Sequence, residues 1–327
     1  MKAIEVRHLS KVYPGGIKAV DDISFDVEEG EVWGFLGPNG AGKTTTIRMI
    51  ITLGVPTSGS IKVFGFDVKH DSAKIRSMLG YVPQAVSVDG DLTAYENLMI
   101  FSKLFDVKKE DRRERIKEAL DYMGLSERAD DLVKHFSGGM MRRLEIAESL
   151  VNRPKILFLD EPSIGLDPAS RQKTLGYIKK LNSDYGVTIF ITTHDMEEAD
   201  ELCDRLAIMN QGKIAVSGAP GELKRSLGGD LVTVKTSGTP PSTIPADLGT
   251  VEGIEENTVR IVTPHGEAAV PRIMDYLRGQ GLAIQGISLS TPSLDDVFMK
   301  YTNVGLEAKG SYRDNKEARK TFQRRSR

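Results

Sequence analysis

One cysteine, Cys203, among 327 residues excludes an intramolecular disulfide framework and fits a reducing compartment. An excess of either charge is missing as well. The 44 basic and 46 acidic residues leave a formal net charge of −2, whereas a dedicated nucleic-acid binder would carry a marked basic surplus. No apolar run approaches the roughly 18 residues that suggest a membrane span. The first residues also lack the charged-then-apolar pattern of a secretory leader. A role at a membrane would therefore need another chain to cross it. There is no internal repeat, and each motif below occurs once. The length allows about two domains and a substantial core.

From Met1 to about Ser217, short β-rich runs alternate with helical patterns, which predicts an α/β fold with a largely parallel sheet. The clearest strands are EVWGFL (31–36), KILFLD (155–160) and VTIFIT (187–192). The last two are nearly continuous apolar runs, as expected of strands buried on both faces. Between about Val88 and Arg153 the strand signals stop. There Thr93 and Glu96 form a capping box, and Ile116, Leu120 and Met123 recur at helical spacing, predicting a helical insert. Over 221–304 the pattern predicts a small α+β domain, with strands at 231–237, 258–263 and 283–290 and helices at 268–280 and 293–302. Residues 305–327 are polar and basic, and predict disorder.

GPNGAGKT, from Gly37 to Thr44, matches the phosphate-loop pattern G-x-x-x-x-G-K-[S/T] between a strand and a helical run. Its glycines let successive backbone N–H groups converge on phosphate oxygens. Lys43 supplies a point charge to the outer phosphates, and Thr44 offers a hydroxyl to Mg²⁺. KILFLDEP then brings Asp160 and Glu161 to the carboxyl edge of the sheet, where open α/β sheets bind ligands. Asp160 there would hold Mg²⁺ through its water shell, and Glu161 would polarise a water for attack on a γ-phosphate. VTIFITTHD delivers His194 to the same edge, in reach of that phosphate. Gln84, in GYVPQ, stands where the α/β core gives way to the helical insert, and its amide could reach both Mg²⁺ and the attacking water.

FSGGMMRRLEIAESL (136–150) reads as a helix capped by Ser137, with Met140 where a capping box would have Glu or Gln. Met140, Leu144, Ala147 and Val151 recur at helical spacing, and Pro154 ends the run. Its bare, glycine-lined N-terminus attracts anions.

Taken in this order, these motifs resemble the nucleotide-binding subunit of ATP-binding cassette (ABC) transporters over about the first 220 residues. The resemblance implies a P-loop NTPase cassette over 1–220: a RecA-like core with a β-subdomain and a helical subdomain at about 88–153. It identifies Walker A at 37–44, Walker B ending at Asp160, the glutamine loop at Gln84, the D-loop at Ser163–Asp167 and the switch histidine His194. ATP would then touch Gly37, Pro38, Asn39, Gly40, Ala41, Gly42, Lys43, Thr44 and Thr45, with Tyr13 stacking on adenine. Glu161, His194, Gln84 and Lys43 would be catalytic, and Thr44, Gln84 and Asp160 would serve Mg²⁺. FSGGM stands where the family has LSGGQ. Ser137, Gly138 and Gly139 would therefore meet the γ-phosphate held by a second subunit, while Met140 departs from the pattern.

One set of motifs implies a dimer around two MgATP, a homodimer by expectation, working on a separate integral membrane permease at the cytoplasmic face of the membrane. Competing readings are a soluble ABC ATPase acting on ribosomes or nucleic acid, a regulator with little turnover, and an importer ATPase. A single cassette without long coiled coils speaks against the soluble class, and the presence of both Glu161 and His194 against the regulator. The tail TPSLDDVFMKYT resembles the drug-resistance and nodulation type of exporter ATPase, so an exporter is favoured, with a drug-like, lipid or polysaccharide cargo. No nucleic-acid partner is expected.

Overall fold

The computed structural model describes residues 1–302; the tail expected at 305–327 lies outside the described residues. Chain contacts separate a first unit, Met1–Ser217, from a second that begins at Gly218. The first unit opens with two long antiparallel strands, β1 (Lys2–Tyr13) and β2 (Ile17–Glu28). There follow β3 (Val32–Leu36), α1 (Lys43–Ile50), β4 (Ser58–Val63), β5 (Phe66–Asp67), α2 (Ser72–Met78) and β6 (Leu79–Val82). Three helices then run without an intervening strand: α3 (Ala94–Leu104), α4 (Arg112–Tyr122) and α5 (Gly138–Leu150). The unit closes with β7 (Ile156–Asp160), α6 (Pro168–Tyr185), β8 (Thr188–Thr193), α7 (Met196–Leu202), β9 (Arg205–Asn210) and β10 (Lys213–Gly218).

Two sheets result. One is antiparallel in the order β2-β1-β4-β5; the other runs β10-β9-β3-β8-β7-β6, with parallel pairing from β9 through to β6. β3, β7 and β8 are buried at every residue, as strands covered on both faces must be. Their carboxyl ends are in register, Leu36 beside Thr193 and Asp160 beside Thr192. The segments that follow all three strands therefore emerge along one edge. An aromatic cluster joins the two sheets: Phe25 of β2 stacks on Trp33 at 5.6 Å, and Phe35 meets Phe190 edge-on at 5.1 Å. Such pairs add about 0.5–1.5 kcal/mol each beyond the area they bury.

The expected capping box opens α3, where Glu96 N–H donates to Thr93 Oγ1 (3.1 Å) and Thr93 N–H to Glu96 Oε2 (2.8 Å). α5 packs against α3, α4, α6 and β6, and is buried from Arg142 to Ser149. It consequently carries charge into the interior. Glu148 is 2% exposed, and its Oε1 has no hydrogen-bond partner among the described residues. Burial pushes its carboxyl from the ordinary 4.5 up to about 8, and the neighbouring Glu145 carboxylate adds to the rise. A folded-state value raised this way means stability present below the unfolded pKa and lost as pH climbs through about 8. The unfolded carboxyl ionises from about 4.5, so part of the loss is already present at pH 6; Glu148→Gln should therefore raise Tm at both pH values, by roughly twice as much at pH 8.5 as at pH 6. An equal shift at both pH values in calorimetry would remove Glu148 ionisation as the cause.

The second unit contains α8 (Pro220–Arg225), β11 (Asp230–Thr236), β12 (Thr250–Glu255), β13 (Thr258–Thr263), α9 (Gly266–Gly279), β14 (Ile284–Ser290) and α10 (Leu294–Thr302). Its sheet is antiparallel in the order β12-β13-β11-β14. Ala269, Ile273 and Leu277, four apart on α9, pack onto Val232, Val234, Val259 and Ile261. Ser293 caps α10, accepting from Asp296 N–H at 3.2 Å.

Candidate functional site

Gly37–Gly42 joins β3 to α1 as a tight loop in which Ala41 N–H donates to the Pro38 carbonyl (3.1 Å). Gly42 caps α1 at φ +109°, and a Cβ there would fall 2.4 Å from the Ala19 carbonyl of β2. Only glycine fits that position. Lys43, the first residue of α1, is 5% exposed. Its ammonium donates to the carbonyls of Gly37 (2.6 Å) and Pro38 (3.3 Å), and lies 3.5 Å from Glu161 Oε1. Burial pushes the Lys43 pKa down, against the pull of Glu161 and then Asp160.

Glu161 is the hub. It is 6% exposed and held at φ +51°, the left-handed region that a side chain of this size seldom enters. Its N–H is anchored by the Thr192 carbonyl (3.0 Å) and hydroxyl (3.1 Å). Its Oε2 receives the His194 ring at Nδ1 (3.2 Å) and, at a long 3.5 Å, the Gln84 amide. Lys43, Gln84 and His194, from three separate segments, thus converge on one carboxylate. Asp160, 2% exposed, accepts from the Thr44 hydroxyl at 3.0 and 3.3 Å and from the Thr192 hydroxyl at 2.5 Å.

Paired hydroxyl and carboxylate oxygens are hard donors of the kind Mg²⁺ takes. Among the described residues no group of three or more His, Cys, Asp or Glu could enclose a metal. An ion beside Thr44 and Asp160 would therefore complete its shell with water and phosphate oxygens. Gln84, read from the sequence as reaching both ion and water, contacts Glu161 rather than the Thr44–Asp160 pair.

Two groups of expected residues make none of these contacts. Tyr13 ends β1 opposite Ile17, 39% exposed, with the Lys11 ammonium 5.2 Å from its ring centre. Ser137 caps α5 by accepting from Met140 N–H at 3.3 Å, and both it and Gly138 are exposed. Gly139 is buried instead, and a Cβ there would fall 2.5 Å from Ser170 Cβ on α6. That glycine lets α5 and α6 approach, while Gly138 faces open space up to Leu166 at 3.7 Å.

Sequence reasoning passed over Thr192 and Glu198. Thr192 is a hydroxyl at the carboxyl end of an otherwise apolar buried strand, and that oddity was its signal. Glu198, 1% exposed, accepts from the hydroxyls of Ser163 and Thr193, each at 2.8 Å. Asp195 caps α7 through Glu198 N–H (3.0 Å) and pairs with Arg171 of α6 (2.6 Å). The D-loop and the segment carrying His194 are therefore fastened together behind Glu161.

Residues 20–164 match the ABC transporter family model, and residues 218–302 match the C-terminal domain of ATP-binding proteins like DrrA1-3. The daunorubicin/doxorubicin resistance ATP-binding protein DrrA of Streptomyces peucetius is 39% identical over 307 residues, 92% of each chain. The chain belongs to the ABC transporter family. This ABC ATP-binding subunit is also 36% identical to the linearmycin resistance ATP-binding protein LnrL of Bacillus subtilis, over 91% of this chain and 98% of that one. It is 38% identical to the Nod factor export ATP-binding protein I of Sinorhizobium fredii, over 92% and 86%. Among solved structures, the ABC subunit cbiO1 of Clostridium perfringens superposes with a TM-score of 0.64 at 27% identity, covering 69% of this chain and 94% of that one. The dimeric cassette MJ0796, bound to ADP and Pi after hydrolysis, gives 0.60 at 29%, over 66% and 98%. This ABC subunit is an ATPase. Among the described residues no helix is long and apolar enough to cross a membrane.

Proposed function

We propose that Glu161 is the general base of this ATPase and that the chain acts as a homodimer around two MgATP, driving a separate permease at the cytoplasmic face of the membrane. The convergence of Lys43, Gln84 and His194 on Glu161 at 3.2–3.5 Å carries the reading. A buried carboxylate within reach of an attacking water accepts its proton, a contribution of about 10²–10⁴-fold in rate. Lys43 and the N–H groups of Asn39–Thr45 bind the phosphates, with Gly37 and Pro38 shaping the loop, and His194 and Gln84 orient the γ-phosphate and the water. Tyr13 stacks on the adenine. Thr44 and Asp160 would hold Mg²⁺, which would supply positive charge against the phosphates.

The cassette occupies the first unit, Met1–Ser217, with its helical subdomain at about 88–153, and Gly218–Thr302 is a separate C-terminal domain. Ser137, Gly138 and Gly139 present the start of α5 to the nucleotide of the second copy, where a helix N-terminus favours anionic oxygens. The names of the relatives, two concerning resistance to daunorubicin/doxorubicin and to linearmycin and one Nod factor export, support export of a drug-like, lipid or polysaccharide cargo.

Dimerisation tests this directly. Glu161→Gln protein should assemble into dimers with ATP and Mg²⁺ in sedimentation experiments and return to monomers with ADP; a monomer under both conditions contradicts the proposal. Met140 lacks the amide that glutamine would offer, and one neutral hydrogen bond is worth about 1 kcal/mol. In the same background, Met140→Gln adds one such bond at each of the two sites and should tighten the dimer by about 30-fold. Unchanged affinity would show that the side chain at 140 takes no part.

A further inference from the structure

The signature helix carries two buried charges that the chemistry above does not use. Arg142 and Glu145, each 3% exposed, lie one turn apart on α5 and pair at 3.0 Å. The Arg142 guanidinium donates to the carbonyls of Pro83 (2.7 Å) and Gln84 (2.9 Å). Glu145 Oε1 accepts from the Ser87 N–H (2.6 Å) and hydroxyl (3.0 Å). Four hydrogen bonds therefore bind one turn of α5, itself braced by the ion pair, to residues 83–87, a segment with no helix or strand of its own. Beyond it, Asn97 of α3 holds Asp89 through both backbone groups, at 2.9 and 3.0 Å.

Burying a guanidinium and a carboxylate is costly, and replacing such a pair by apolar side chains is often neutral or stabilising. Stability alone does not account for this pair. Its geometry does, because the planar fork of Arg142 spans two consecutive carbonyls and fixes their spacing, which a lysine could not do. We propose that Arg142 and Glu145 are positioning residues that lock the Gln84 loop to the start of α5, so that the two move as one body.

This rests on the proposal that Gln84 serves the chain's own nucleotide while Ser137–Gly139 serve the partner's. On that reading, the lock inside each copy joins the two composite sites mechanically. Nucleotide gripped at one site by α5 fixes the Gln84 loop at the other, which is a coupling free energy between sites. Arg142 and Glu145 touch no nucleotide; they act through Gln84 and Ser137.

Two readouts separate the lock from the dimer reading. Hydrogen exchange of the nucleotide-free protein reports on the lock alone. Arg142→Met and Glu145→Ala should each speed exchange of the Ser87 amide and its neighbours by about tenfold or more, with the β7 and β8 amides unchanged. Glu145→Gln, which keeps the acceptor for Ser87, should preserve most of the protection even if the other variants fold poorly. The second readout is the ATP dependence of steady-state hydrolysis. Wild type should be cooperative, and Arg142→Met should bring the Hill coefficient to about 1. Unchanged exchange in both Arg142→Met and Glu145→Ala would overturn the lock. Faster exchange with undiminished cooperativity would overturn its coupling role. A non-cooperative wild type that also fails to dimerise as Glu161→Gln would instead overturn the composite-site reading on which the coupling rests.

Discussion

Glu161→Gln is expected to lower ATP turnover by about 10²–10⁴-fold while leaving MgATP affinity within about threefold of wild type. The substitution keeps the shape of a side chain that is 6% exposed, and its backbone at φ +51° stays anchored to Thr192. Lys43 loses its anionic partner at 3.5 Å but keeps the Gly37 and Pro38 carbonyls, so the loop should hold its form. What the amide cannot do is accept a proton from water. Single-turnover phosphate release beside an equilibrium nucleotide titration separates the two effects. Turnover reduced less than tenfold would move the base elsewhere, and a matching loss of affinity would make Glu161 a binding residue.

Lys43→Ala should act on the other limb and weaken ATP binding by about 10–100-fold, the scale of losing a charge-assisted contact in a dry site. Two costs combine there. The phosphates lose a point charge, and the buried Asp160 and Glu161 lose the cation that lies 3.5 Å from Glu161. Leaving a buried carboxylate without its cation costs more than the pair is worth. Displacement of a fluorescent ATP analogue measures the change. An affinity within threefold of wild type would show that the loop N–H groups bind the phosphates without Lys43.

Much of this site could be read in advance because it is local. The phosphate loop is eight consecutive residues, and β7 and β8 are apolar runs whose ends announce Asp160 and His194. The resemblance supplied the roles, and the register of β3, β7 and β8 explains why segments far apart in sequence meet.

What escaped was long-range or irregular. The β1–β2 hairpin, twelve residues a strand, shifts register between Val6 and Leu9 and again after Leu9, which blurs the alternation that marks a strand. β12, TVEGIE, holds a glycine and two glutamates and reads as loop until β13 pairs with it. Glu198 looks like the closing residue of a capping box after Asp195, yet its carboxylate turns away to Ser163 and Thr193. Gly139 looked like space for a phosphate, and its missing Cβ is used against Ser170. Arg142 and Glu145 could be placed on one face of a helix, but nothing in their spacing says that the Gln84 loop lies against it.

The most direct test of the account is a purification of Glu161→Gln protein, with ATP and Mg²⁺, from detergent-solubilised native membranes, its partners identified by mass spectrometry. The variant should hold the closed dimer and with it any protein that the cassette drives. Stoichiometric recovery of a multi-span membrane protein is the predicted result, and that protein would point to the cargo. Recovery of ribosomes or nucleic acid, with no integral membrane protein, would contradict the account.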